Sequence, residues 1–242
     1  MASGAVQLTR DRAWMEQATA MLFADLARLD SPSESSPTLL PGWTRGHLIT
    51  HLARQAEGLV RLLTWARTGE PSPMYQSRER RNADIESGAH RPLPALLDDL
   101  RQTCGALEVA VTTLPDAAWS ATVAAFDGRP IPASRVVWIR AREVFVHVVD
   151  LDLAATWRDL PPAFVDAVLE EVVEGLSGRE RVPSLRLRPS DRDREWSVRG
   201  EGDPLTIEGP ASELLGWLSG RGEPPSVRPA RGDAPPRLPA WL

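Results

Sequence analysis

The 242-residue chain contains four histidines; two of them, His47 and His51, stand four residues apart, and Glu143 and His147 repeat the interval. On an α-helix that spacing puts both side chains of a pair on one face. His-x-x-x-His and Glu-x-x-x-His pairs are recurrent ways of aiming two donors at one cation, and facing helices of a bundle can bring two pairs to a common centre. Imidazole nitrogen and carboxylate oxygen suit zinc at about 2.0 to 2.2 Å, and three protein donors with one position open is the catalytic arrangement, whereas structural sites close with four. Two histidines and one glutamate therefore predict a metal centre that does chemistry. Spacing leaves His47 and His51 both open as the donor from the first pair. A plainer role is also open to each residue: an imidazole satisfied inside a helical core, or Glu143 paired with Arg140 or Arg142.

Other residues fall around these pairs. Asp150, three residues after His147, can orient an imidazole from behind, or end its helix in solvent. Trp43 directly precedes the helix that carries His47 and His51 and can wall a pocket, although core packing is the ordinary fate of the nine tryptophans. Cys104 in QTCGALEVA suits a small buried position; as the single cysteine it can form no internal disulfide and no CxxC pair. Any thiol chemistry needs a thiol brought from outside. Arg221 lies between Gly220 and Gly222, where backbone can approach a ligand closely and a guanidinium can fork onto a carboxylate. An arginine at a helix C-terminus also fits that position.

Helical periodicity supplies the elements that must position these groups. Residues 5–30 place Leu8, Trp14, Ala18, Met21, Leu22, Leu26 and Leu29 at helical spacing without internal Gly or Pro. SPSESSPTLLPG stops this run, and Thr44 stands at an N-cap position before a second helix over 45–68. Residues 69–91 mix turn formers with charges and predict a long functional loop. Helices are expected over 92–114, with Leu96, Leu97, Leu100 and Leu107 inward, and over 134–157. Four long helices imply a bundle, here residues 1–160. Beyond Pro161 and Pro162 the pattern changes to a helix ending near Leu176, short strands SLRLRP, EWSVRG and LTIEG, and a helix in ELLGWLSG. The fold class is thus mainly α with a second, small α+β domain over 161–242. Its tail from Glu223 holds six of the 22 prolines and is expected to be extended or loosely docked.

A hydrophobic content of 42% supports a packed core. The 28 basic residues, all arginine, are scattered among 33 acidic ones, so no basic stripe points to nucleic acid. No apolar run approaches the eighteen or so residues needed to span a bilayer, and the N-terminus lacks the order of a secretion signal. A cytoplasmic location is expected, with no membrane partner.

The chain resembles the mycothiol-dependent maleylpyruvate isomerases, members of the DinB-like metal-binding four-helix bundle superfamily. The resemblance runs through GWTRGHLITHLA at 42–53, PMY at 73–75, RNADI at 81–85, PAS at 132–134 and RAREVFVHVVDL at 140–151, and continues to Gly220-Arg221-Gly222 and the closing PPRLPAWL. It implies a DinB-like bundle followed by a sterol-carrier-like α/β domain. It implies that the metal ligands are His51, Glu143 and His147, which leaves His47 outside the metal, and that an essential arginine of the second domain falls on Arg221. Trp43, Tyr75, Arg81 and Asn82 become pocket and cofactor-binding residues by their place in these stretches. The implied activity is cis-trans isomerisation of maleylpyruvate to fumarylpyruvate by a monomer, with zinc and mycothiol as cofactors, in aromatic breakdown through gentisate. A mycothiol S-transferase using the same triad is the nearest alternative; a small-molecule-binding module and a metal-dependent hydrolase stand further off.

Overall fold

In a computed structural model of the chain, residues 2–222, 226–230, 234–239 and 241 are described. The chain divides into two compact units, Met1–Ala154 and Ala155–Leu242.

The first unit is built on four long helices. Helix α1 spans Ala2–Leu26 and buries Trp14, Met15, Ala18, Leu22 and Leu26, a stripe repeating every three to four residues. Helix α2, Arg45–Thr68, starts in a capping box: the Thr44 hydroxyl accepts from the His47 backbone N–H, and His47 Nδ1 accepts from the Thr44 backbone N–H. It ends at Gly69, whose left-handed φ of 79° turns the chain out of the helix. Helix α3 spans Arg78–Ala89, α4 Leu93–Thr113 and α5 Arg135–Asp150. Helix α1 packs along α5 and α2 along α4, while α2 also meets α3 and α5. Leu48, Leu52, Ala56 and Leu59 of α2, Leu96 and Leu100 of α4, and Val137, Ala141 and Val144 of α5 are fully enclosed. Strands β1, Thr122–Ala124, and β2, Pro130–Pro132, form a short antiparallel hairpin before α5.

Two features lock α2 against α5. Buried Arg140 donates from Nη1 to the Leu52 carbonyl and to Gln55 Oε1, and from Nη2 to Cys104 Sγ on α4. At the other end Arg45 donates to the carbonyls of Leu151 and Asp152, and the Leu39 N–H donates to the Asp150 carbonyl. The N-terminal turns of α2 are thereby held to the C-terminal turns of α5.

The second unit contains α6, Pro162–Leu176, then β3, Pro183–Pro189, β4, Trp196–Val198, β5, Glu201–Gly209, α7, Ala211–Leu218, and β6, Arg228–Pro229. The sheet order is β4-β3-β5-β6, with β3 and β5 parallel and the other pairs antiparallel. Leu185, Leu187, Trp196, Val198 and Ile207 fill its buried face, against which α6 and α7 pack.

Three expectations are corrected. The loop expected over 69–91 contains α3, nucleated where the Ser77 hydroxyl accepts from the Arg80 N–H and packed on α2 through Ile85 and Ala89. The helix expected to run to Trp157 stops at Asp150, because Asp152 adopts a left-handed φ of 53°, and Trp157 belongs to a separate 3-10 turn. The first helix ends at Leu26 rather than near residue 30. Within the proline-rich tail, β6 adds an edge strand, and Val227 and Trp241 are buried; residues 223–225, 231–233, 240 and 242 lie outside the described ones.

Candidate metal centre

Because α2 and α5 are fastened at their facing ends, His51 from the second turn of α2 meets Glu143 and His147 on α5. His51 Nε2 lies 3.2 Å from Glu143 Oε2, and His147 Nε2 lies 3.5 Å from the same oxygen. The two imidazole rings stand edge to face with centroids 4.9 Å apart. One donor atom from each residue falls within 4.8 Å of the others, and among the described residues no further His, Cys, Asp or Glu joins this group. In a tetrahedral site with bonds of about 2.1 Å, neighbouring donors are about 3.4 Å apart, so the observed separations suit a zinc-sized cation. His51 and His147 are buried, while Glu143 keeps 16% of its side-chain surface exposed, which leaves an approach from solvent.

The donors are prepared unequally. Burial pushes the His51 imidazole down to about 4, against the opposing pull of Glu143, so at neutral pH the ring is uncharged, with one nitrogen carrying a proton and the other a lone pair. Burial also lowers His147, but its hydrogen bonds to Asp150 and Glu143 outweigh that and raise it above the usual histidine value. Glu143 is pushed up by burial, yet the hydrogen bonds from His147 and His51 prevail and hold it well below the ordinary carboxylate range. The His147 ring donates from Nδ1 to Asp150 Oδ2 at 2.8 Å, so once Nε2 gives up the proton it shares with Glu143 it is the nitrogen left to offer a lone pair to a metal. At His51 the polarity is reversed: Arg81 Nη2 donates to Nδ1 at 3.1 Å. An imidazole that gives Nε2 to a cation keeps its proton on Nδ1, so the Arg81 contact and metal loading exclude each other.

Arg81 can withdraw because its surroundings offer other contacts. Its guanidinium carbon lies 5.8 Å from the ring centres of both Tyr75 and Phe126, and its Nη1 donates to Asn82 Oδ1 at 3.0 Å. Tyr75 packs edge to face on Phe126, with its phenol pushed up by burial. Tyr75 and Arg81 also line a cavity of about 620 Å³ with Arg54, Glu57, Arg61 and Arg91, whereas none of the three donors lines it. Arg81 is thus shared between centre and cavity. Trp43 sits with its ring centre 5.5 Å from that of His51, the two rings tilted at 64°.

Of the residues singled out from the sequence, Trp43 and Arg81 touch His51 of the group His51, Glu143 and His147, while Tyr75 and Asn82 stand against Arg81. Arg221 belongs to the second unit, where its backbone N–H donates to the Gly216 carbonyl and its Nη1 to the Ser219 carbonyl, between two glycines of positive φ. Glu143 pairs with Arg142, at 3.3 Å, and not with Arg140. His47 turns away from the triad toward Glu86 on α3, 3.2 Å from Nε2. Sequence reasoning missed Phe126, an isolated aromatic in a hairpin turn, and the Glu86-x-x-x-His90 interval, which lay within the stretch expected to be loop.

The chain is similar to known proteins along most of its length. The family model described as mycothiol maleylpyruvate isomerase N-terminal domain matches residues 15–152, and the MDMPI C-terminal domain matches residues 159–239. Two solved structures are similar to the chain, one of the mycothiol-dependent maleylpyruvate isomerase and one of a histidine-to-alanine mutant of it. Each has a TM-score of 0.89 and 30% sequence identity, and covers 96% of this chain and 97% of the other. No curated protein matches the chain.

Proposed function

Since the chain belongs to the mycothiol maleylpyruvate isomerase family, with both family domains present, we propose that it converts maleylpyruvate to fumarylpyruvate with mycothiol and a zinc ion held by His51, Glu143 and His147. The observation that carries this is the group of two imidazoles and one carboxylate with donor atoms within 4.8 Å and no fourth protein donor in it among the described residues. Zinc in such a site supplies a Lewis acid that ionises a thiol at neutral pH or polarises a carbonyl. Mycothiol, when bound, would supply the thiol nucleophile for reversible addition to the alkene, the thiol being returned on elimination.

The chain's own residues prepare that chemistry. His51 presents an unprotonated nitrogen, and Asp150 fixes the His147 ring by accepting its Nδ1–H. Trp43 packs against the His51 ring. Arg81, released from Nδ1 of His51 on metal loading, presents a cation at the cavity, where it can pair with a substrate carboxylate. Tyr75 and Phe126 flank its guanidinium and Asn82 accepts from it; in the second unit, Arg221 would bind a carboxylate. No described helix is long and apolar enough to cross a membrane; the proposal extends to a monomer working in the cytoplasm.

The test is to follow maleylpyruvate with zinc-loaded protein, with and without mycothiol, and to identify the products. Fumarylpyruvate forming only in the presence of mycothiol, with the thiol recovered intact, is the expected result. Accumulation of a stable thioether would identify an S-transferase instead and overturn the isomerase proposal.

A further inference from the structure

One helical turn before His51, the donor set of the metal centre recurs. His47 Nε2 lies 3.2 Å from Glu86 Oε2, and His90 Nε2 lies 3.3 Å from Glu86 Oε1. The His47 and His90 rings stand edge to face with centroids 5.7 Å apart, as the His51 and His147 rings do at 4.9 Å. One donor atom from each of His47, Glu86 and His90 falls within 4.8 Å of the others. His47 is buried and rigidly placed by the α2 capping box, whereas Glu86 and His90 are exposed at the C-terminal end of α3. The hydrogen bonds from His90 and His47 hold the Glu86 carboxyl below its usual range, so it is ionised at neutral pH.

We propose that His47, Glu86 and His90 form a second divalent-metal site, open to solvent and separate from the centre on α5. Two imidazoles and a carboxylate suit zinc, and also nickel and copper, with water completing the coordination. Trp43 lies between the two sites, stacked on the His47 ring at 6.2 Å and edge-on to His51 at 5.5 Å. The outer site is the weaker of the two for two reasons. Glu86 and His90 are exposed side chains that must be ordered by the ion. His47, in giving Nε2 to a cation, carries its proton on Nδ1, so it gives up the hydrogen bond it accepts from the Thr44 N–H and donates instead to the Thr44 hydroxyl 2.8 Å away. The inner centre fills first, and the outer one responds to excess metal.

The alternative is that the same three side chains form a hydrogen-bonded tie between α2 and α3 and hold no ion. Equilibrium dialysis of the tag-free full chain against stepped free zinc, with bound zinc measured by mass spectrometry, separates the two. The expected result is a second ion taken up at free zinc at least about tenfold higher than the first. Glu86→Gln and His90→Ala each abolish uptake of that second ion and leave the first unchanged, while His51→Ala removes the first and leaves the second. A single ion per chain at all zinc concentrations overturns the proposal, as does a second ion whose binding neither Glu86→Gln nor His90→Ala affects. Both substitutions lie on the surface, and the retained first ion reports that each variant is folded.

Discussion

His147 Nδ1 lies 2.8 Å from Oδ2 of Asp150, a carboxylate with no exposed surface, one turn further along α5. This pair fixes which imidazole nitrogen is left to face a cation. Asp150→Asn is expected to leave helix content unchanged and weaken zinc binding by about 10- to 100-fold. Competition against a chelator of known affinity measures it.

Arg81 opposes metal loading by donating to the wrong nitrogen of His51 and by placing a like charge near the cation. Arg81→Ala is therefore expected to tighten zinc binding by on the order of tenfold, the equivalent of one hydrogen bond, and to lower turnover of maleylpyruvate because a cation is lost from the cavity. Tighter metal with slower turnover distinguishes this role from a purely structural one; unchanged zinc affinity would contradict it.

Zinc uptake should release a proton from His147. Its raised value means that the metal-free centre holds a proton there above the ordinary histidine range, while His51 is already unprotonated. Zinc affinity is expected to rise with pH as this proton is lost, with up to one proton released per ion. Titration calorimetry in buffers of different ionisation enthalpy counts that proton directly.

In the metal-free protein His51 contributes to acid sensitivity. Its folded value of about 4 lies below the ordinary 6.5, so the unfolded chain takes up a proton that the folded chain refuses. The sign follows: stability is unaffected by this group above pH 6.5 and falls as pH drops from there to about 4, by about 3 kcal/mol in all. Urea unfolding of metal-free wild type and His51→Ala at several pH values isolates the effect, which is expected to be missing from the variant.

The contact between α2 and α3 is tight at Gly46, where an added methyl would strike the Ala89 carbonyl. Gly46→Ala is expected to cost about 1 to 3 kcal/mol through overpacking, read as a lowered urea midpoint. Because α3 carries Arg81, its displacement should also slow turnover.

The bundle was legible from the sequence because α1, α2, α4 and α5 bury leucine-, alanine- and valine-rich stripes long enough for their period to show. Helix α3 was not: RERRNADIESGA buries only Ile85 and Ala89, and its start is marked by one serine hydroxyl rather than by an apolar face. The choice between His47 and His51 was equally invisible to spacing, since both occupy one face of α2. What separates them is what stands opposite, α5 carboxylate for one and α3 carboxylate for the other. Family resemblance supplied that choice before any geometry did. Arg140, which spacing offered to Glu143, is drawn instead to Gln55 and the Leu52 carbonyl, because its side of α5 faces the buried seam with α2.

The four residues from His47 to His51 also work as a ruler. An extra residue inserted between them would swing one imidazole about 100° around the α2 axis, severing it from its carboxylate while the other stayed in place. The length of this stretch is consequently as binding a requirement as the two histidines themselves: a change in the number of residues between them breaks one group or the other.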